Sequence, residues 1–215
     1  MQFNPVIVDL SHFDDVRDWD AVKAFGILGV INKATEGEGS VDRTYEIRRR
    51  PARERGLHYG AYHFLRPGDP VQQADRFLEV ALDVAQPDDV LLALDHEDRR
   101  VPLNDAKRFL QRVFDRAGRR AVLYSGFLIK QQLGNRRDPF LAQHRLWLSH
   151  FSARPVAPPN WAAPWIIQFT GDGQGPGPHA VPGISIPGGI DLNHYGGTAQ
   201  QLGEEWAAGP VMAIA

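Results

Sequence analysis

Asp95 and Glu97, in the tetrad Leu94-Asp95-His96-Glu97, follow an uninterrupted apolar run from Val90 to Leu94. Such a run reads as a strand buried on both faces of a parallel sheet. Strand side chains alternate, so the two acids share one face with Cα atoms about 6.6 Å apart, and His96 takes the other. Two carboxyls held this way cannot both ionise comfortably, and one pKa rises. Glycoside hydrolysis uses that arrangement: a protonated acid donates to the leaving oxygen while an anion supports the sugar cation or activates a nucleophile. Taken alone, the pair fits equally well an acidic strand end that caps the next turn. It has company, however. Asp9 ends the first apolar strand and Asp191 lies in the last, and in a closed barrel those strands are neighbours. Four acids on one rim lie where barrel enzymes keep their chemistry.

Further residues fall at strand ends. Lys33, one of four lysines, sits inside an apolar strand beside Asn32. It could neutralise the carboxylates, touch substrate or form a rim salt bridge. Tyr62 alternates with Ala61 and His63; a core role is the plain alternative for Tyr62, and a satisfied core histidine is the better reading of His63. Tyr124, Trp147 and Gln168 are placed to line a sugar cleft, the aromatic rings for stacking on pyranose faces. The glycine-rich run Gly171-Asp172-Gly173-Gln174-Gly175 resembles a phosphate loop, but prolines follow it rather than a helix, so it reads as a surface loop.

The elements that must position these residues alternate along the chain. Val6–Val8, Leu28–Ala34, Leu57–Phe64, Val90–Leu94 and Arg120–Tyr124 read as strands. The intervening amphipathic stretches read as helices: Trp19–Phe25 with Asp18 as N-cap, Tyr45–Arg55 stopped by Gly56, Pro70 to about Ala85, Pro102 to near Gly118, and Phe127–Leu133. Thr35–Ser40 reads as a polar loop. Leu146–Leu148, Trp165–Phe169 and Gly189–Leu192 read as strands joined mostly by loops, with a Gly/Pro-rich stretch from Gly171 to Pro187 before the last. The expected fold class is α/β: one irregular TIM-like barrel of five βα units followed by three loop-connected strands. A single catalytic domain is expected over 1–215, its core at about 5–195, with a short C-terminal tail.

Composition narrows the function. Hydrophobic residues make up 43% and charged residues 23% of the 215, enough for a full core and too apolar for disorder. A net charge of −2 gives no case for binding nucleic acid or an anionic membrane. Arg48-Arg49-Arg50, with Arg53 and Arg55, is the only basic cluster, and its helical pattern beside Glu46 and Glu54 reads as a solvated face. Without cysteine there is no disulfide, thiolate metal site or cysteine nucleophile. No stretch approaches a membrane span, and Met1–Val8 lacks the features of a secretory signal.

Seven segments in order resemble glycoside hydrolase family 25, the Chalaropsis-type lysozymes, over roughly residues 5 to 195. They are Asp9-Leu10-Ser11-His12; Asn32-Lys33-Ala34-Thr35-Glu36-Gly37; Gly60-Ala61-Tyr62-His63-Phe64 with Arg66-Pro67; Asp95-His96-Glu97; Leu146-Trp147-Leu148; Trp165-Ile166-Ile167-Gln168-Phe169; and Gly189-Ile190-Asp191-Leu192-Asn193. The resemblance implies hydrolysis of the β-1,4 bond between N-acetylmuramic acid and N-acetylglucosamine in peptidoglycan. It also implies Glu97 as general acid and Asp95 as second carboxylate, with Asp9 and Asp191 shaping the pocket. Direct displacement and attack by the substrate's own N-acetyl oxygen both remain open. The chain departs from the family at His12-Phe13-Asp14, at His150-Phe151 and in the Pro/Gly stretch before Asp191, positions that bear on substrate subsites.

No cofactor and no metal is expected. The partner expected is the glycan strand, acting on a monomer at the cell wall. Export by a holin, by a secretion system or through a removed signal would each fit. Two competing readings are a catalytically inactive glycan-binding barrel and a metal-dependent hydrolase using Asp9, Asp95, Glu97 and Asp191 with His63 or His194.

Overall fold

A computed structural model describes residues 3–84 and 87–208. The order of elements is β1 (Pro5–Leu10), β2 (Asp15–Val16), α1 (Trp19–Phe25), β3 (Gly29–Glu36), β4 (Ser40–Val41), α2 (Thr44–Glu54), β5 (His58–Phe64), α3 (Pro70–Ala81), β6 (Leu91–Asp95) and α4 (Leu103–Ala117). There follow β7 (Val122–Ser125), α5 (Phe127–Leu133), β8 (Leu146–Ser149), β9 (Ile166–Thr170), β10 (Ile184–Ser185), β11 (Asp191–Tyr195) and α6 (Ala199–Glu205). Asp18 caps α1 by accepting from the Asp20 and Ala21 amides, and Gly118, at φ 68°, ends α4 in the left-handed conformation that glycine tolerates.

The barrel closes in the order β1, β3, β5, β6, β7, β8, β9, β11, with β11 returning to β1. Five strand–helix units run from β1 to α5, and β8, β9 and β11 are joined through loops. The neighbours from β1 through β9 pair in parallel, but β11 runs antiparallel to both β9 and β1. The site depends on that reversal.

Alternation sorts the side chains into two layers. Val8, Val30, Leu92, Leu94, Leu123, Leu148 and Ile167 face outward onto the helices. Ile7, Ile31, Leu91, Ala93, Val122 and Ile166 fill the barrel interior. Trp206 closes the bottom, its indole N–H donating to the Tyr59 carbonyl. Continuing each inward column towards the rim gives Asp9 after Ile7, Lys33 after Ile31, Asp95 after Ala93, Tyr124 after Val122 and Gln168 after Ile166.

Several expectations need correction. The stretch Thr35–Ser40 is not simply a loop: β3 continues to Glu36 and turns back into β4, Thr35 pairing with Val41. Helix α3 stops at Ala81, short of the expected Ala85, which lies outside the described residues. The last strand starts at Asp191 and runs to Tyr195, because the glycines before it take positive φ. Helix α6 was not foreseen, although Thr198 and Gln201 form a full capping box at its start. The tail beyond 208 lies outside the described residues.

Candidate active site

All nine residues singled out in the sequence (Asp9, Lys33, Tyr62, Asp95, Glu97, Tyr124, Trp147, Gln168 and Asp191) line one cavity of about 200 Å³ at the rim. Adjacent strands carry them. Asp9 pairs with Asp191 across β1 and β11, Lys33 with Tyr62 across β3 and β5, and Asp95 with Tyr124 across β6 and β7. Asp191, unlike Asp9 and Asp95, does not lie at the end of its strand. It is the first residue of reversed β11, and the reversal brings that strand's start to the rim where parallel strands end.

Asp9 is held by three amide contacts. Asn193 Nδ2 donates to its Oδ2 at 2.7 Å, and Gln168 Nε2 lies 3.2 Å from each oxygen. Both amides are fixed from behind. Trp147 Nε1 donates to Asn193 Oδ1 at 2.6 Å, and the Tyr124 hydroxyl donates to Gln168 Oε1 at 2.8 Å. An indole N–H can only donate, so the Asn193 oxygen must face Trp147 and its NH₂ must face Asp9. The aromatic rings, 4.5 Å apart between centroids, thereby orient the carboxyl through two amides. Asn193 was missed as a site residue, though it sat within the segment carrying Asp191.

The four acids crowd one another. Burial raises Asp95 well above the carboxylate range, with Glu97 and Asp9 adding repulsion. Asp95 is 6% exposed, and its Oδ1 is buried with no hydrogen-bond partner among the described residues. Asp9 is raised to about 6 by burial, against the lowering effect of Asn193 and Gln168. Asp191 is pushed up to about 9 by burial and then by Asp9 and Asp172. Glu97 stands at the open mouth, accessible to solvent but walled by the cleft. That desolvation, then the charges of Asp9 and Asp172, raises it to about 7. Asp172 was also missed. Its loop was read correctly as a surface turn, and a positive φ of 50° lets it lean over the site.

The remaining candidates separate cleanly. Lys33 pairs with Glu36, and its charge also lowers the pKa of Asp95, so the rim salt bridge and the field effect coexist. His63 is a core histidine: its ring contacts Thr35 Oγ1 at 2.7 Å and Gln73 Oε1 at 3.0 Å, and burial lowers it to about 4. His194 faces the ring of Phe3 on the barrel's outer surface. Among the described residues no group of three or more His, Asp or Glu is arranged to hold a metal ion.

Arg48 contradicts the solvated-face reading of the basic run. It is 7% exposed and reaches inward from α2, donating to the Ser11 carbonyl at 2.8 Å, to Asn32 Oδ1 at 3.1 Å and to the Asp14 carbonyl. Arg50 and Arg55 do lie outside, paired with Glu54 and Asp20.

The sequence profile of glycosyl hydrolases family 25 matches residues 8–178. Lysozyme M1 of Streptomyces globisporus is 26% identical over 213 residues, covering 91% of this chain and 69% of that protein. The uncharacterized protein YegX of Escherichia coli K12 is 27% identical over 206 residues, covering 91% of this chain and 71% of that protein. The bacterial lysozyme of Streptomyces coelicolor superposes with a TM-score of 0.80 at 24% identity, over 96% of this chain and 99% of that one.

Proposed function

The chain belongs to glycosyl hydrolases family 25, and from that premise we propose that its single barrel, with its core at about 5–195, is a muramidase. It cleaves the β-1,4 bond between N-acetylmuramic acid and N-acetylglucosamine in peptidoglycan. The observation that carries this reading is the meeting of Asp9, Asp95, Glu97 and Asp191 at one rim, with Glu97 held up to about 7 at its open mouth. A carboxyl still protonated near neutral pH can donate to the glycosidic oxygen as the bond breaks. The role of second carboxylate falls to Asp95. A buried carboxyl held well above its usual range is a poor nucleophile, so attack on the sugar carbon by the substrate's own N-acetyl oxygen is favoured. An N-acetyl N–H donating to the unpartnered Asp95 Oδ1 would align that group and favour the anionic form of Asp95. Water then opens the resulting ring, giving up a proton to the Glu97 carboxylate, and the acid is restored. Tyr62, Tyr124, Trp147, Gln168 and Lys33 form the walls that hold the sugar.

The site of action is the cell wall. The chain works as a monomer, and no helix among the described residues is long and apolar enough to cross a membrane. Release of reducing ends from purified peptidoglycan, in excess EDTA, tests the reading. Wild type is expected to turn over, and Glu97→Gln to be folded but slowed by roughly 10²–10⁴-fold. Wild-type activity that EDTA abolishes, or near-normal turnover by Glu97→Gln with unchanged melting, would overturn it. Binding without turnover by wild type would leave a glycan-binding barrel.

A further inference from the structure

Beside the catalytic cavity lies a second lobe of about 380 Å³, continuous with it through Asp9, Ser11, Phe13, Tyr62 and Asp191. Two of the stretches where the sequence departs from its family meet in its wall. One is the lip Ser11–Asp14 after β1. The other is the Gly/Pro strap before β11, which contributes Ile186 and Pro187. The two are zipped together: Ile184 pairs with Val16 and Ser185 with Asp15 as strands β10 and β2, and the Arg17 amide donates to the Gly183 carbonyl at 2.8 Å. Gly183 is required there, since at φ +87° a Cβ would lie 2.1 Å from the Asp18 carbonyl oxygen.

Phe13 stands at the junction of both lobes and is 71% exposed. Exposure of a phenyl ring is ordinary on a mobile loop, but this loop is fixed at every residue. The Ser11 amide donates to Asp14 Oδ2 at 2.6 Å, the His12 amide to Asp42 Oδ2 at 2.8 Å, and Arg48 grips the Ser11 and Asp14 carbonyls from below. The Phe13 ring rests on the His12 imidazole with centroids 4.0 Å apart, and that imidazole is anchored on Asp42. A large apolar face is therefore presented to the cleft already ordered, so a ligand stacking on it meets little entropy cost.

We infer that Phe13 is the stacking platform of a sugar subsite in the second lobe, occupied by the glucosamine-type residue next to the reacting muramic sugar. This rests on the muramidase reading, because in a strictly alternating glycan both neighbours of a muramic residue are glucosamines. The chemistry of the lobe agrees. Phe13, Ile186 and Pro187 offer apolar surface to ring C–H groups, while Asp14 and Asp172 can accept from hydroxyl and amide N–H groups. Among the described residues no Lys or Arg lines this lobe to hold the carboxylates of a stem peptide.

The test compares wild type, Phe13→Ala and Phe13→Trp on alternating N-acetylglucosamine–N-acetylmuramic acid tetra- and hexasaccharides. Loss of binding made equally in ground and transition states raises KM and spares kcat, so Phe13→Ala should raise KM about five- to tenfold with kcat within about twofold. Phe13→Trp should restore KM, and both variants should melt with wild type. Unchanged KM in Phe13→Ala, or a defect that Phe13→Trp fails to restore, overturns the platform. Calorimetric binding of the same tetrasaccharide by the three proteins keeps the inference separate from the reaction. If wild type binds without cleaving, the muramidase reading fails, while weaker binding by Phe13→Ala alone still supports the platform, and equal binding removes it.

Discussion

Asp9 is the carboxyl best built to stay ionised: three amide contacts converge on it, and its pKa, about 6, lies below those of Glu97 and Asp191. After burial, Asp9 and Asp172 supply the negative charge that raises Glu97. Burial raises Asp95 well above the usual carboxylate range, with repulsion from Glu97 and Asp9 added, so it is disfavoured as an anion beside Glu97 and exerts less field on it. The consequence is visible in a pH profile. The basic limb of kcat/KM follows loss of the Glu97 proton near pH 7. Asp9→Asn removes a negative charge, makes Glu97 ionise more easily and should move that limb to lower pH, on the order of one unit. Asp95→Asn should cut the rate yet leave the limb in place. A limb that moves in Asp95→Asn and not in Asp9→Asn would reverse the assignment. The rim acids were legible in the sequence because Asp9 and Asp95 lie at the ends of recognisable strands, Glu97 follows two residues after Asp95, and Asp191 falls in the last strand-like segment. Asn193 and Asp172 were not, since an amide inside a strand and an acid in a glycine turn carry no signal until the fold brings them near a carboxylate.

At the scale of elements, helix α2 does more than cover β3 and β5. Arg48 passes inward from it to hold the lip that carries Ser11, Phe13 and Asp14. Replacing it with leucine preserves helix propensity but strands two carbonyls and the Asn32 side chain, each hydrogen bond to a charged group being worth about 1.5–3 kcal/mol. Arg48→Leu should therefore lower Tm by about 9 °C or more, from three such bonds at about 2–4 °C per kcal/mol for this size, and should raise KM as the lip loosens. Arg48→Lys should recover little, because an ammonium lacks the planar fork that spans three acceptors. Thermal melts and oligosaccharide kinetics check both; a wild-type Tm and KM in Arg48→Leu would deny the clamp. The five strand–helix units were legible because buried parallel strands and capped helices each leave a pattern in the sequence. The direction of β11 left none. Five residues of alternating pattern read the same in either sense, and the reversal is fixed only by how the strap from Gly171 to Ile190 runs across the top of the barrel.

Across the whole molecule, one end of the barrel interior is apolar and closed by Trp206, and the other ends in carboxyls. That division has a cost which depends on pH. Asp191 ionises near 3.8 when unfolded but is pushed up to about 9 in the folded chain, by burial first and then by Asp9 and Asp172. Between those values the folded state holds a proton that the unfolded state has lost, so this group's contribution to stability falls as pH rises through the interval. The coupled acids Asp9 and Glu97 act in the same direction over narrower windows ending near 6 and 7. Buried His63 and His144, lowered to about 4, oppose them below about pH 6.5, where the unfolded imidazoles take up protons first. A wild-type melt therefore mixes opposing terms, and a difference between two proteins isolates one. Asp191→Asn removes the ionisation and keeps the shape. Its Tm relative to wild type should rise by a few degrees at pH 8, where Asp191 is driven towards ionising among its neighbours. The gain should vanish at pH 4, where most of the cluster is protonated in both proteins. Activity should fall in the same variant, since a site that gathers carboxyls for catalysis gives up stability to do so. Melting of the two proteins at both pH values decides the matter: an equal shift at pH 4 and pH 8 would mean that the change acts through packing and not through charge.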